Sequence, residues 1–215
     1  ILYEKSVLEI FYENNLRHLI IKKKGEITDP IHLNDVEPAL ENTKFWNKGD
    51  LFLSLRNQGI IVQFRPSTNK IIKIIKGPFS YQHDVDIIND HTISIYNNNV
   101  TNSQNGKSIY STNEILFYNF KNSKFEKKIN DSMKKYNIKT TAGGLADFIL
   151  NENILVEDEG FGRIYNFNWT GEKIWIYNNM YEDKKNYIVN WSRIIKDESL
   201  INEILNISKN INCNK

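Results

Sequence analysis

An all-β chain, folded as a β-propeller of four-stranded antiparallel blades, is the class this sequence predicts. Three observations lead there. Short runs rich in Ile, Leu, Val, Phe and Tyr recur along the chain, as in Leu51-Phe52-Leu53-Ser54-Leu55 and Ile60-Ile61-Val62-Gln63-Phe64. Turn-forming stretches such as Pro66-Ser67-Thr68-Asn69 and Lys121-Asn122-Ser123 separate them. Most telling, His32-Leu33-Asn34-Asp35-Val36 is echoed 51 residues later by His83-Asp84-Val85-Asp86-Ile87, and the segments downstream of the two histidines echo each other too. A sandwich has no reason to repeat at that period, whereas a propeller blade of four strands fills roughly 40 to 50 residues.

The elements run in order. Val7 to Arg17 echoes Ile61 to Lys70, so residues 5–21 are expected to close a preceding blade as strand, turn and strand. Complete blades are expected over 29–76, 82–129 and 141–178, the last built from Leu145-Ala146-Asp147-Phe148, Ile154-Leu155-Val156, Arg163-Ile164-Tyr165 and Lys173-Ile174-Trp175. Residues 187–196 read as the start of a further strand. In 197–215, Leu200, Ile204, Leu205 and Ile207 stand at near-helical spacing, which gives a C-terminal helix or tail. The whole of 1–215 is then one partial propeller with open edge strands, completed by N-terminal blades or by another chain. Ile1 in place of Met leaves room for an upstream signal or anchor.

Composition narrows the function classes. At 40% hydrophobic and 12% aromatic the chain can bury a core. Its 28 Lys and Arg nearly balance 26 Asp and Glu, and the run Lys22-Lys23-Lys24 lacks interleaved aromatics, so a nucleic-acid partner is not expected. The single cysteine, Cys213, excludes an intrachain disulfide and a cysteine metal cluster. No apolar run approaches the roughly 20 residues of a membrane-spanning helix.

The chemistry sits where the repeats begin. The strand opening each repeat is the candidate for the innermost strand, which lines a propeller channel. Strand alternation puts His32 and Asn34 on one face; likewise His83 lies opposite to Asp84 and Asp86. Each imidazole is either a satisfied structural residue or part of a site, and its recurrence in matching places brings the second reading level with the first. The next strand of the first repeat ends in Arg56, whose planar fork suits a sulfate, phosphate or carboxylate if it faces the channel mouth. The acidic run Glu157-Asp158-Glu159 alternates faces and makes a poor metal cage, so it reads as solvated or salt-bridged, and no metal is expected.

Asp29-Pro30-Ile31-His32-Leu33-Asn34-Asp35, Gly49-Asp50-Leu51-Phe52-Leu53-Ser54-Leu55-Arg56 and Gly77-Pro78-Phe79-Ser80-Tyr81-Gln82-His83-Asp84, followed by Ile95-Tyr96-Asn97-Asn98, together resemble the bacterial arylsulfate sulfotransferases. The likeness extends over most of residues 5 to 195. It implies a six-bladed propeller that moves a sulfuryl group from an aryl sulfate to a phenol, without a nucleotide donor or other cofactor, in the periplasm. It further implies that His83 is transiently sulfated, that His32, Asn34 and Arg56 hold the sulfuryl oxygens, and that a histidine protonates the departing phenoxide. By the same resemblance Thr141 is expected to match a substrate-binding threonine of that family. A further family histidine on an earlier blade has no match in these residues. At this level a second class stays open, a non-catalytic propeller that binds a ligand or protein.

Overall fold

The computed structural model describes residues 3–20, 29–103, 106–109, 111–149, 151–183, 185–209 and 211. The lysine run 22–24 and Cys213 lie outside them. Three four-stranded antiparallel sheets carry the fold. The first is β1 (Leu33–Pro38), β2 (Leu51–Leu55), β3 (Ile60–Arg65) and β4 (Lys70–Lys76), in that order. The second joins β5 (His83–Asn89), β6 (Thr92–Asn97), β9 (Glu114–Asn119) and β10 (Lys124–Lys127). Between β6 and β9 the chain makes an extra hairpin, β7 (Val100–Ser103) with β8 (Gly106–Ile109). The third sheet is β11 (Ala146–Ile149), β12 (Asn153–Asp158), β13 (Arg163–Asn168) and β14 (Lys173–Asn178).

Burial falls from the middle strands of each sheet to its last. Five of the six residues of β3 are buried, β4 alternates, and β14 is almost wholly exposed. The hairpins are built alike: Arg56-Asn57-Gln58 and Glu159-Gly160-Phe161 each make one 3₁₀ turn, closed by Gly59 and Gly162 at φ 60° and 62°. A side chain at those two positions would sit in the disfavoured left-handed region.

The cores lie between the sheets. Phe52 and Ile61 of the first sheet pack on Ile93, Ile95 and Leu116 of the second. From the opposite face of that second sheet, Tyr96, Ile115 and Phe117 meet Ile154, Val156 and Phe167 of the third. Side chains of one strand thus serve two cores with a period of two residues. Strand β5 lies against both β1 and β11, so the first strands stand side by side and the sheets do not close into a barrel. The arrangement is propeller-like.

Carboxylates stitch these first strands together. Asp35 accepts from the Val85 N–H at 2.7 Å, Asp84 from Ala146 at 2.8 Å, and Asp147 from Ile194 at 2.7 Å. The first two thereby satisfy backbone donors on otherwise unpaired sheet edges, and the third holds a segment outside the sheets.

The structure differs from the sequence reading at both ends. Residues Val7–Glu13 form a helix, α1, rather than a strand and turn. Ser6 and Glu9 make a reciprocal capping box, while Ile10 and Phe11 pack on Leu53, Leu55 and Val62. A helix therefore covers the face where a preceding sheet was expected. Residues 187–196 hold no strand, because no neighbour among the described residues offers them a ladder. Their backbone is nevertheless held as the first strands are, at Ser192 by Glu157 and at Ile194 by Asp147. The expected C-terminal helix is present as α3 (Glu198–Lys209), and a short helix, α2 (Asn130–Lys135), packs Met133 into the second core. No helix among the described residues is long and apolar enough to cross a membrane.

Crowded carboxyls on the first strands make stability depend on pH. Burial, with the charges of Glu37, Asp35 and Asp147 adding to it, pushes Asp86 up to about 8, and its Oδ2 is buried without a partner. The folded form thus holds a proton that the unfolded chain gives up near pH 4, so stability is lost as pH rises from about 4 through about 8. Asp86→Asn should raise stability by several kcal/mol near pH 8, with a gain that shrinks towards pH 5. Denaturant melts at the two pH values check this, and an equal shift at both contradicts it.

Candidate active site

The site forms where β1 and β5 begin. His32 precedes β1 with its backbone in the left-handed region, at φ 52°, held there by Asp29, whose Oδ1 accepts the His32 N–H at 2.8 Å. That bond is the chief reason the Asp29 carboxyl lies below its ordinary value. Asp29 Oδ2 also accepts from His32 Nδ1 at 2.7 Å. With its proton on Nδ1, His32 turns the Nε2 lone pair to Arg56, whose Nη1 donates to it at 2.8 Å. The Arg56 backbone N–H returns to the His32 carbonyl at 3.1 Å. Histidine and arginine are thus locked as one unit.

Arg56 is the unusual member. It is 7% exposed, stacks over the Tyr81 ring at 4.9 Å, and has its Nε buried without a partner. Burial pulls its guanidinium below the usual value, and no carboxylate pairs with it among the described residues. Arg65 and Arg163 behave differently, since each grips a buried aspartate, Asp50 and Asp158 respectively. A buried cation left without an anion of its own is costly to keep, and it is set up to take one from outside.

His83 opens β5. Its Nδ1 lies 2.7 Å from Asn98 Oδ1 and 3.1 Å from the Tyr81 carbonyl. The Asn98 amide nitrogen is engaged with the carbonyls of Thr140 and Gly143, so both neighbours of Nδ1 are acceptors and the ring proton sits there. Nε2 carries the lone pair and accepts from the Gly143 N–H at 3.1 Å. Burial first, and the charge of Arg56 after it, pull His83 down to about 4, so the imidazole is neutral at physiological pH. Gly143 approaches this closely at φ 70°, and a Cβ there would run into Glu159.

Asn34 and His83 line one cavity of about 230 Å³, with Asp84, Gly143, Glu157 and Trp191 around them. Asn34 Nδ2 donates to the Gln82 carbonyl at 2.8 Å, and its Oδ1 is buried without a partner.

The two histidines are not equivalent, contrary to their spacing. Pairing sets Leu33 opposite Leu55 and His83 opposite Tyr96, so His83 matches Leu33, and His32 matches Gln82. A bulge comes after each pair, at Asn34 and at Asp84, the latter with φ 45°. Simple strand alternation therefore fails here, because an extra residue re-aims the side chains. His32 and Asn34 do not act from one face: His32 serves Arg56, while Asn34 reaches the cavity. Thr141 is exposed and does not line it, whereas its neighbour Thr140 is buried and fastens the loop through Ala142 and Gly160. Of the two readings of the acidic run, solvated or salt-bridged, the second holds for Asp158, which pairs with Arg163, and the first fails. Glu157 and Asp158 are fully buried, and Glu159 accepts from the Gly144 N–H.

Sequence reasoning missed Asn98 and Gly143, which fix the tautomer of His83 and cap its lone pair. The paired glycines Gly143-Gly144 were the available signal, because such a pair permits a close backbone approach.

The family model of arylsulfotransferase (ASST) matches residues 1–180. No curated protein matches the chain. Among solved structures, apo AztD from Citrobacter koseri is similar over 60% of this chain and 31% of its own, at 9% identity and a TM-score of 0.37. The chain thus spans about a third of that protein's length. With a family match that covers most of its residues and includes all of His32, Asn34, Arg56 and His83, the chain belongs to the arylsulfotransferase family.

Proposed function

We propose that these residues form the transfer site of a six-bladed arylsulfate sulfotransferase. It moves a sulfuryl group from an aryl sulfate to a phenol through sulfated His83, with no nucleotide donor, and its place by family is the periplasm. The observation that carries this reading is a buried guanidinium without a carboxylate, Arg56, whose charge reaches the neutral imidazole of His83.

In the first half-reaction the Nε2 lone pair attacks sulfur, the bond from sulfur to the aryl oxygen breaks, and the phenoxide departs with that electron pair. Arg56 faces the anionic sulfuryl oxygens, with His32 keeping its fork oriented. The Gly143 N–H, released from Nε2 as the N–S bond forms, is positioned to donate to one of those oxygens. Asn98 steadies the cationic N-sulfoimidazolium through Nδ1. In the second half-reaction a phenol attacks sulfur, the N–S bond breaks, and the proton lost by the incoming phenol balances the one taken up by the departed phenoxide.

Quenching the full-length protein during turnover of p-nitrophenyl sulfate, with no acceptor added, tests the reading. Peptide mass spectrometry should find one added sulfuryl group on His83. A sulfated His32, or p-nitrophenol released with His83 unmodified, would overturn it.

A further inference from the structure

The cavity beside His83 has an acidic wall that sulfuryl transfer does not use. Asp84, Glu157 and Glu159 line it, and no lysine or arginine does among the described residues. Each of the three has one oxygen committed to a backbone N–H: Asp84 to Ala146 at 2.8 Å, Glu157 to Ser192 at 2.7 Å, and Glu159 to Gly144 at 2.9 Å. Glu157 is 0% exposed, and its second oxygen, Oε1, is buried with no donor. Leaving such an acceptor unmade is costly, so a donor is missing.

The missing donor is cationic. Burial and the Glu157 charge raise the Glu159 carboxyl, and no cation offsets them. Arg193 acts on Asp84, yet burial and Asp86 still hold that carboxyl well above its ordinary value. No three His, Cys, Asp or Glu side chains among the described residues are arranged to hold a metal ion, and an ammonium group carries both the charge and the hydrogens that Glu157 and Glu159 can accept. Trp191 in the same lining already carries the Arg193 guanidinium over its ring at 5.2 Å, which shows that this rim takes a planar or ammonium cation.

We infer that the cavity selects a phenolic acceptor bearing an ammonium group, which donates to Glu157 and Glu159 while its phenol oxygen faces His83. This rests on the sulfuryl-transfer reading of the site. It also gives the site two ends of opposite sign, Arg56 for the sulfuryl group and the carboxylates for the amine. An anionic sulfuryl group close to bare carboxylates is repelled, and the amine removes that repulsion.

The test compares tyramine with p-ethylphenol in the full-length protein, first by calorimetric binding without donor and then as acceptors from p-nitrophenyl sulfate. Tyramine should bind and react on the order of tenfold better, as one charged hydrogen bond provides. In Glu157→Gln, whose amide oxygen still accepts from Ser192, the ratio should fall towards one. Should that variant not fold, the wild-type order decides alone, with anionic p-hydroxyphenylpropionate expected to be the poorest of the three. Equal binding or equal kcat/KM for tyramine and p-ethylphenol overturns the inference while leaving transfer intact. Preferential tyramine binding with no transfer to any phenol supports the cation site and removes the sulfotransferase reading.

Discussion

Replacing His83 with Asn should abolish sulfuryl transfer, lowering turnover by about 10³-fold or more, as loss of a covalent nucleophile does. The fold gives this substitution a narrow effect. Asn keeps an amide hydrogen that can reach the Tyr81 carbonyl or Asn98, the partners at 3.1 Å and 2.7 Å that now orient the ring. It supplies no lone pair of comparable nucleophilicity at the Nε2 position. His83 is neutral because burial holds its pKa at about 4, so its Nε2 lone pair is fully available at neutral pH without a general base. A circular-dichroism melt within a few degrees of the wild type, with no p-nitrophenol released, is the expected pair of results. A folded His83→Asn variant that turns over at the normal rate removes His83 from the chemistry and leaves the binding-scaffold class as the better description.

The strands were legible in the sequence because their signal is local. Ile60 to Arg65 and Asn153 to Asp158 are runs of strand-forming residues bounded by turns, and the structure pairs both in four-stranded sheets. The first helix was misread because Val7 to Asn14 was compared with a strand elsewhere, while its own signals, Ser6 with Glu9 and the spacing of Val7, Ile10 and Phe11, were local and sufficient. The site was only half legible. That Arg56 and the two histidines lie near one another came from the repeats and the family likeness. That His32 holds Arg56 rather than sharing a face with Asn34 depends on a bulge at Asn34, which alternation cannot anticipate. The roles of Asn98 and Glu157 come from contacts with Gly143 and Ser192, 45 and 35 residues away along the chain, and no local pattern marks them.

Arg56→Lys should retain some activity yet lose on the order of 10²-fold in kcat, the effect of removing a transition-state donor from a preorganised site. Part of the guanidinium is already committed and part is free. One nitrogen, Nη1, donates to His32, the plane stacks on Tyr81, and Nε has no partner. The planar fork can therefore hold its place against His32 and still present hydrogens to a sulfuryl group. An ammonium at the same position keeps the positive charge, but a single nitrogen cannot face both His32 and the substrate with that geometry. The charge alone still draws the aryl sulfate in, so KM should move less than kcat. Steady-state kinetics with p-nitrophenyl sulfate and a saturating phenol separate the two constants. If Arg56→Lys keeps kcat within about threefold of the wild type, well short of what a lost donor costs, the fork is not the sulfuryl anchor, and the buried guanidinium serves only to hold His32 and Tyr81.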